Sequence, residues 1–262
     1  MTSSENRAEN ATDPVTFLAG YADAYKANHF DDRVTDVGLT VSKIDTVAPV
    51  DCLRFIYHHY AFNRAGGAAA GYNEIAVNAV NTVGGAAPDE LWSEFVNTCD
   101  ERNIGVNARV NEGAVKGVAS LVEEHGNLFA WTDETVTTNE SVTPVYTAVN
   151  DIRGLGEKIT RFFVRDAVWI ADVEANVLQD EREYLQPMDV WTRRVAHILW
   201  EDTWDATDTD LSQRAAAACT ERSVSNAEFN QGAWYLGAKE HNGNTEAFVE
   251  DLIRVNAQSE ER

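Results

Sequence analysis

Two segments organise this chain: residues 143–165, which read TPVYTAVNDIRGLGEKITRFFVR, and residues 185–200, which read LQPMDVWTRRVAHILW. Apolar residues recur at helical spacing before Gly154 and again after Gly156. This pattern predicts a helix, a tight hairpin and a second helix. Glycine suits the turn because its backbone adopts angles that residues with a Cβ avoid.

The second predicted helix begins with a basic run. Lys158, Arg161 and Arg165 are spaced i, i+3 and i+7, so we expect them to share one face. The backbone N–H groups at the start of this helix, with the positive end of its dipole, form a seat for a phosphate. Because the formal net charge of the chain is −22, this local reversal of sign indicates a phosphate-bearing partner.

The two segments together resemble a family. Ile152-x-Gly154-x-Gly156-x-Lys158, followed by Pro187-x-Asp189 and Arg194-Val195, is similar to the motif of the helix-hairpin-helix DNA glycosylases, which include endonuclease III-like and 8-oxoguanine enzymes. The resemblance places Lys158 on the family's catalytic lysine and Asp189 on its catalytic aspartate. It extends more weakly back to about Asp51 and forward to about Gly237.

The chain departs from the family's pattern in two places. The hairpin usually begins Leu-Pro-Gly, whereas here it begins Ile152-Arg153-Gly154. Lys158 and Asp189 are 31 positions apart, a longer spacing than in the endonuclease III branch and more like that of the archaeal 8-oxoguanine glycosylases. The motif residues do not choose between these branches.

The resemblance implies an all-α fold of two lobes with a cleft between Lys158 and Asp189. Residues 49–175 would form a helical barrel that ends in the hairpin. Residues 1–48 and 176–262 would form the second lobe. Scarce strand signals in the sequence also favour an all-α chain.

The resemblance also implies residue roles. In the family the lysine amine attacks the sugar and forms a Schiff base, while the aspartate stabilises the oxocarbenium-like transition state. The residues expected to bind DNA are Arg153, Gly154, Leu155, Gly156, Arg161, Arg165, Asn63 and Arg64, the last two near the gap left by the flipped nucleotide. The residues expected to line the pocket for the flipped base are Trp191, Phe229, Gln231 and Trp234.

Each of these residues also has an ordinary structural interpretation. Lys158 fits a simple phosphate contact or a solvated helix residue, and Asp189 fits an N-cap. Most of the seven tryptophans fit the core of a helical protein. Two other functions therefore stay open, a non-catalytic helix-hairpin-helix DNA-binding protein and a helical interaction protein with no role on DNA.

The composition is acidic and poor in lysine. There are 43 acidic and 21 basic residues, and only five of the basic ones are lysines, as expected of a halophilic protein kept soluble in concentrated salt. An acidic surface repels DNA, but at molar salt the Debye length is only ~3 Å. Local basic contacts to the expected partner, double-stranded DNA with a damaged base, are then retained.

Cysteine usage and hydropathy set the remaining expectations. Cys219 is the only cysteine after Asp189, so the four-thiolate iron–sulfur cluster of many endonuclease III-like enzymes is not expected. We expect no metal site and no organic cofactor, while the family implies a structural monovalent cation on the hairpin carbonyls. With no signal segment and no apolar run of ~20 residues, the sequence predicts a cytoplasmic monomer without membrane contact.

The remaining segments are predicted from periodicity and turn residues. Residues 127–139 are polar and predicted as a linker, and the helix opened by Lys158 is predicted to continue to about Val177. Residues 179–183 are predicted as an acidic loop. Helices are predicted at 190–202, 208–220, 226–240 and 245–255.

Overall fold

The computed structural model describes residues 13–62, 71–200 and 203–260. Within these ranges every regular element is a helix and there is no strand, which confirms the all-α prediction. A short 3-10 helix, Val41–Lys43, lies between longer helices. No helix of the described ranges combines the length and apolarity needed to cross a membrane.

The described residues form two compact units. The hairpin unit contains residues 31–62 and 71–176, and the terminal unit contains residues 13–30, 177–200 and 203–260. The expected N-terminal boundary at 48 is displaced, because residues 31–48 belong to the hairpin unit. Ile44 is fully buried, and the Asn127 amide donates to the carbonyls of Ile44 at 2.7 Å and Val47 at 3.1 Å.

The helices of the hairpin unit run in chain order from α3 to α10. They are α3 (Asp31–Asp36), α4 (Pro49–Ile56), α5 (Tyr72–Val83), α6 (Pro88–Glu101), α7 (Ala108–His125), α8 (Leu128–Asn139), α9 (Thr143–Asn150) and α10 (Gly156–Ala171). A π-helical segment, Tyr57–Ala61, continues α4. Aromatic side chains join these helices: the Phe163 ring lies 5.6 Å from that of Tyr60 and 5.5 Å from that of Phe129.

The terminal unit combines the two ends of the described chain. Its helices are α1 (Pro14–Ala19), α2 (Ala22–Tyr25), α11 (Val190–Leu199), α12 (Asp208–Glu221), α13 (Asn226–Tyr235) and α14 (Thr245–Glu260). Its core contains Leu18 from α1, Val195 from α11 and Leu252 from α14. Helix α1 lies so close to α13 that a Cβ at Gly232 would overlap the carbonyl of Leu18.

Two predictions for the hairpin unit are wrong, one linker and one helix end. The predicted linker at 127–139 is helix α8, opened by an Asn127 side chain that accepts from the N–H groups of Phe129 and Ala130. Its buried side includes Thr132, whose hydroxyl donates to the Leu128 carbonyl at 2.7 Å. A threonine whose hydroxyl donates to a carbonyl of its own helix can lie on the buried face of that helix. Counting such threonines as polar led to the prediction of a linker. The helix opened by Lys158 ends at Ala171 rather than near Val177.

Segments following these helices also differ from the prediction. Residues 179–183, predicted as a loop, belong to the 3-10 helix Gln179–Leu185. The predicted helix at 190–202 ends at Leu199. The predicted helix at 226–240 is α13 followed by a π-helical segment, Leu236–Glu240.

Candidate functional site

The glycine hairpin joins α9 to α10. Gly154 has a φ of +105° and Gly156 a φ of +74°, so the prediction that the turn needs glycine is confirmed. The N-cap residue Leu155 makes no side-chain cap hydrogen bond to α10. The first turn of α10 therefore presents backbone N–H groups without a capping side chain, as an anion site requires.

The hairpin rests directly on α7. A Cβ at Gly117 would lie 2.6 Å from Cγ2 of Ile152, and a Cβ at Gly113 would overlap the carbonyl oxygen of Arg153. A Cβ at Gly154 would lie 2.5 Å from the carbonyl oxygen of Val110. Glycines on both surfaces allow this close approach, which fixes the hairpin against the helix.

Lys158 is exposed in the first turn of α10. Its Nζ lies 5.9 Å from the centroid of the Phe162 ring, one turn further along the helix. The neighbouring acid, Glu157, pairs with Arg161 at 2.6 Å. Among the described residues Lys158 forms no ion pair, so its amine faces solvent beside an aromatic ring.

Arg161 and Arg165 do not accompany Lys158 on the surface. Arg161 is 3% exposed and Arg165 is 0% exposed. Arg161 is held by Glu157, while Arg165 pairs with Asp166 at 2.8 Å. The expectation that both arginines bind DNA is therefore wrong for this structure. Helical spacing placed them correctly along α10, but it could not show that their faces are covered.

Arg165 belongs to a buried polar cluster. Asp166 accepts from Arg165 through Oδ1, and through Oδ2 from the Tyr60 hydroxyl at 3.0 Å. The Arg165 guanidinium also lies 4.8 Å from the centroid of the Phe162 ring. Phe162 thus lies between a buried guanidinium and the exposed Lys158 amine. Nearby His59 is also buried, and this burial lowers its pKa to about 3.

Asp189 caps α11. Its Oδ1 accepts from the N–H of Trp191 at 2.8 Å and the N–H of Thr192 at 2.9 Å, and the Thr192 hydroxyl completes a capping box. Among the described residues no hydrogen bond reaches Oδ2. One carboxylate oxygen therefore holds the helix while the other remains available, so the structural and functional interpretations of Asp189 are compatible.

Three of the four residues expected in a base pocket are buried. Trp191 and Phe229 lie in the apolar core of the terminal unit, and Trp191 packs edge-on against Phe248 with ring centroids 5.1 Å apart. Gln231 is 0% exposed. The structure therefore does not support Trp191, Phe229 or Gln231 as open pocket residues, because their side chains are enclosed by the protein.

Trp234 differs because it is only half-buried. Its ring lies 4.4 Å from that of His29 and 5.8 Å from that of Tyr25. His29 belongs to a π-helical segment, Lys26–Phe30, a distortion that often occurs at functional sites. The sequence analysis missed His29, since a single histidine about two hundred positions from its partner leaves no periodic signal.

Asn63 and Arg64 lie outside the described residues. Within the described ranges no three or more His, Cys, Asp or Glu residues are grouped to hold a metal. The hairpin carbonyls are neutral oxygen donors of the kind that bind monovalent cations, so their chemistry fits the implied ion.

Burial raises the pKa of the Cys52 thiol to about 12, which makes that thiol a poor nucleophile.

The chain was also compared with known proteins. Neither the models of protein families, nor the curated proteins, nor the solved structures contain a match to it.

Proposed function

We propose that the chain is a base-excision DNA glycosylase with associated lyase activity, of the helix-hairpin-helix superfamily and its two-lobed fold. The observation that carries this proposal is the environment of Lys158. Lys158 is exposed in the first turn of α10, forms no ion pair with any residue that the structure describes, and directly follows a hairpin with two positive-φ glycines. In a chain with 43 acidic residues, that arrangement suits a group that acts on a phosphate-bearing substrate.

The proposed reaction uses Lys158 as the nucleophile. Its neutral amine attacks the sugar C1′ while the bond from C1′ to the damaged base breaks, and the base leaves with a proton. The sugar ring then opens as the C1′–O4′ bond breaks and O4′ takes up a proton, which leaves a Schiff base between C1′ and the lysine nitrogen. The Schiff base acidifies the C–H at C2′, and loss of that proton with departure of the 3′ phosphate cleaves the DNA strand on the 3′ side. Asp189 would stabilise the positive charge that develops on the sugar through its uncommitted Oδ2.

Borohydride trapping tests the nucleophile. The wild-type protein on a panel of duplexes, each with one lesion, should form a covalent adduct that maps to Lys158. Lys158→Gln should abolish the adduct and strand nicking and leave DNA binding largely intact. Lys43→Gln is the matched control, since it removes another exposed lysine and should leave trapping unchanged. An adduct that persists in Lys158→Gln refutes the assignment.

Substitution of Asp189 tests the charge stabilisation. Asp189→Asn keeps an oxygen for the N-cap but removes the charge, so the free energy of unfolding should change by no more than about 1 kcal/mol. Base release should fall by about 10²-fold or more, as when charge stabilisation of a transition state is removed. Near-full activity of this variant on the best lesion would show that the proposed role is wrong.

One observation favours a second candidate, a non-catalytic DNA-binding protein. Trp191, Phe229 and Gln231 are all buried, which leaves Trp234 as the one half-exposed aromatic among the four pocket candidates. A protein that had lost its damage pocket would still bind duplex DNA but would form no adduct with any lesion. Gel shifts in concentrated KCl separate both candidates from an interaction protein that does not bind DNA.

A further inference from the structure

An open groove lies beside the hairpin, on the side formed by α7 from Ala108 to Leu121. Its volume is about 500 Å³, and we call it the α7 groove. The charged residues that line it are Arg109, Glu112, Lys116, Asp151 and Arg153. The groove belongs wholly to the hairpin unit, and of its charged residues only Arg153 was expected to bind DNA.

We propose that the α7 groove binds a backbone phosphate of duplex DNA between Arg109 and Arg153. This inference rests on the proposed function only for the identity of the partner. It adds a second contact site, formed by α7, to the hairpin contact that the motif predicts. It also provides a surface cation, Arg109, which the sequence analysis did not consider.

The packing of the hairpin brings the two arginines to one place. Gly113 lies against the Arg153 backbone, where a Cβ would overlap the Arg153 carbonyl oxygen. Arg109 precedes Gly113 by four residues on the same helix face, a rise of about 6 Å. Both arginines are exposed, and both long side chains can reach an anion in the groove.

The charges of the groove favour an anionic ligand. Lys116 is bound by Asp89 at 2.7 Å and by Glu112 at 2.9 Å, so these three residues together carry one net negative charge and Lys116 is already engaged. Arg109 and Arg153 form no ion pair within the described residues. Two negative charges oppose these arginines: Asp151 at the C-cap of α9 and the second carboxylate on Lys116.

Arg102 also forms no ion pair within the described residues, but five other arginines that reach the surface are paired with a carboxylate. These are Arg33, Arg54, Arg193, Arg222 and Arg254. Two neighbouring arginines left without a carboxylate, on an acidic protein, suit an external anion. The groove is open to solvent along its length, which suits a polymer backbone. Phosphate contacts of this type position a protein on DNA without reading its sequence.

The experiment measures binding to an undamaged duplex by fluorescence anisotropy during a KCl titration. Arg109→Gln removes one phosphate contact, so the salt slope should become less steep by about one unit and affinity should fall roughly 4-fold at ~0.2 M KCl. Asp151→Asn removes one opposing charge and should raise affinity. Arg102→Gln is the matched control: Arg102 is exposed but does not line the groove, so binding should not change.

The outcomes separate this inference from the proposed function. If Arg109→Gln binds like the wild type, or if Arg102→Gln loses as much affinity as Arg109→Gln, the groove assignment is overturned. A wild-type protein that binds no duplex overturns it as well. Borohydride trapping on lesion duplexes reports the glycosylase activity independently. Loss of affinity in Arg109→Gln without any adduct in the wild type supports the groove and refutes the glycosylase.

Discussion

The close packing of the hairpin against α7 can be tested by replacing Gly117 with alanine. A Cβ there would lie 2.6 Å from Cγ2 and 3.2 Å from Cγ1 of Ile152. Overpacking of this kind costs about 1–3 kcal/mol. Replacing glycine by alanine inside a helix contributes about 1 kcal/mol in the opposite direction. We therefore expect Gly117→Ala to lower the free energy of unfolding by about 1 kcal/mol.

The same substitution should reverse its sign when Ile152 is shortened. Ile152→Ala removes both crowding atoms and leaves the Ile152 Cβ, which would lie 3.3 Å from the new methyl group. In that background the helix propensity prevails, and Gly117→Ala should stabilise the protein by up to about 1 kcal/mol. The coupling energy between the two substitutions should then be about 1–3 kcal/mol.

Gly113→Ala provides the contrasting variant. The atom that it would overlap is the backbone carbonyl oxygen of Arg153, which Ile152→Ala does not remove. Its cost should therefore be similar with and without Ile152→Ala. Denaturant unfolding of the variants at one fixed KCl concentration measures all of these terms. If the effect of Gly117→Ala is equal in both backgrounds within about 0.5 kcal/mol, the close approach of the hairpin to α7 is wrong.

Two further predictions concern the buried polar residues of the hairpin unit. Asp166→Asn leaves the Arg165 guanidinium buried without its counter-charge, so unfolding at neutral pH should become easier by about 3–5 kcal/mol; a change below 1 kcal/mol in denaturant unfolding would contradict the buried pair. Burial lowers the pKa of His59 to about 3, whereas the pKa of histidine in the unfolded chain is about 6.5. The unfolded state therefore binds the proton first, and the free energy of unfolding falls as the pH drops from about 6.5 towards 3. Between about pH 7.5 and pH 5 the protonation of unfolded His59 lowers the free energy of unfolding by about 2 kcal/mol, and His59→Gln should not show this part of the pH dependence. Parallel pH profiles of wild type and variant would mean that His59 is not buried in its neutral form.

The hairpin and its flanking helices were predictable because their signals are local. The tight turn requires positive φ at residues 154 and 156, glycine at both positions allows it whatever surrounds the turn, and apolar spacing identifies the helices on either side. Asp189 was predictable as a helix start for the same reason, since an N-cap involves only the next three residues. Neighbours along the chain determined each of these features.

Features that depend on distant packing were not predictable. Arg165 has the spacing of a surface residue, yet Tyr60 and Asp166 enclose it in a buried cluster. Trp191 and Trp234 are chemically alike in the sequence, and the tertiary structure alone places the first in the core and leaves the second beside His29. Periodicity identifies which residues share a face, but the identity of the face that is covered depends on residues elsewhere in the chain.

The division of the terminal unit between the two ends of the chain has a consequence for synthesis on the ribosome. Helix α1 leaves the ribosome about two hundred residues before α13, against which Leu18 packs. The hairpin unit is continuous in sequence from residue 31 to residue 176, so it can fold while α1 still lacks its partner. Domains generally fold as units during synthesis, so the hairpin unit is expected to form first. The apolar side of α1 then stays uncovered until α13 has been made.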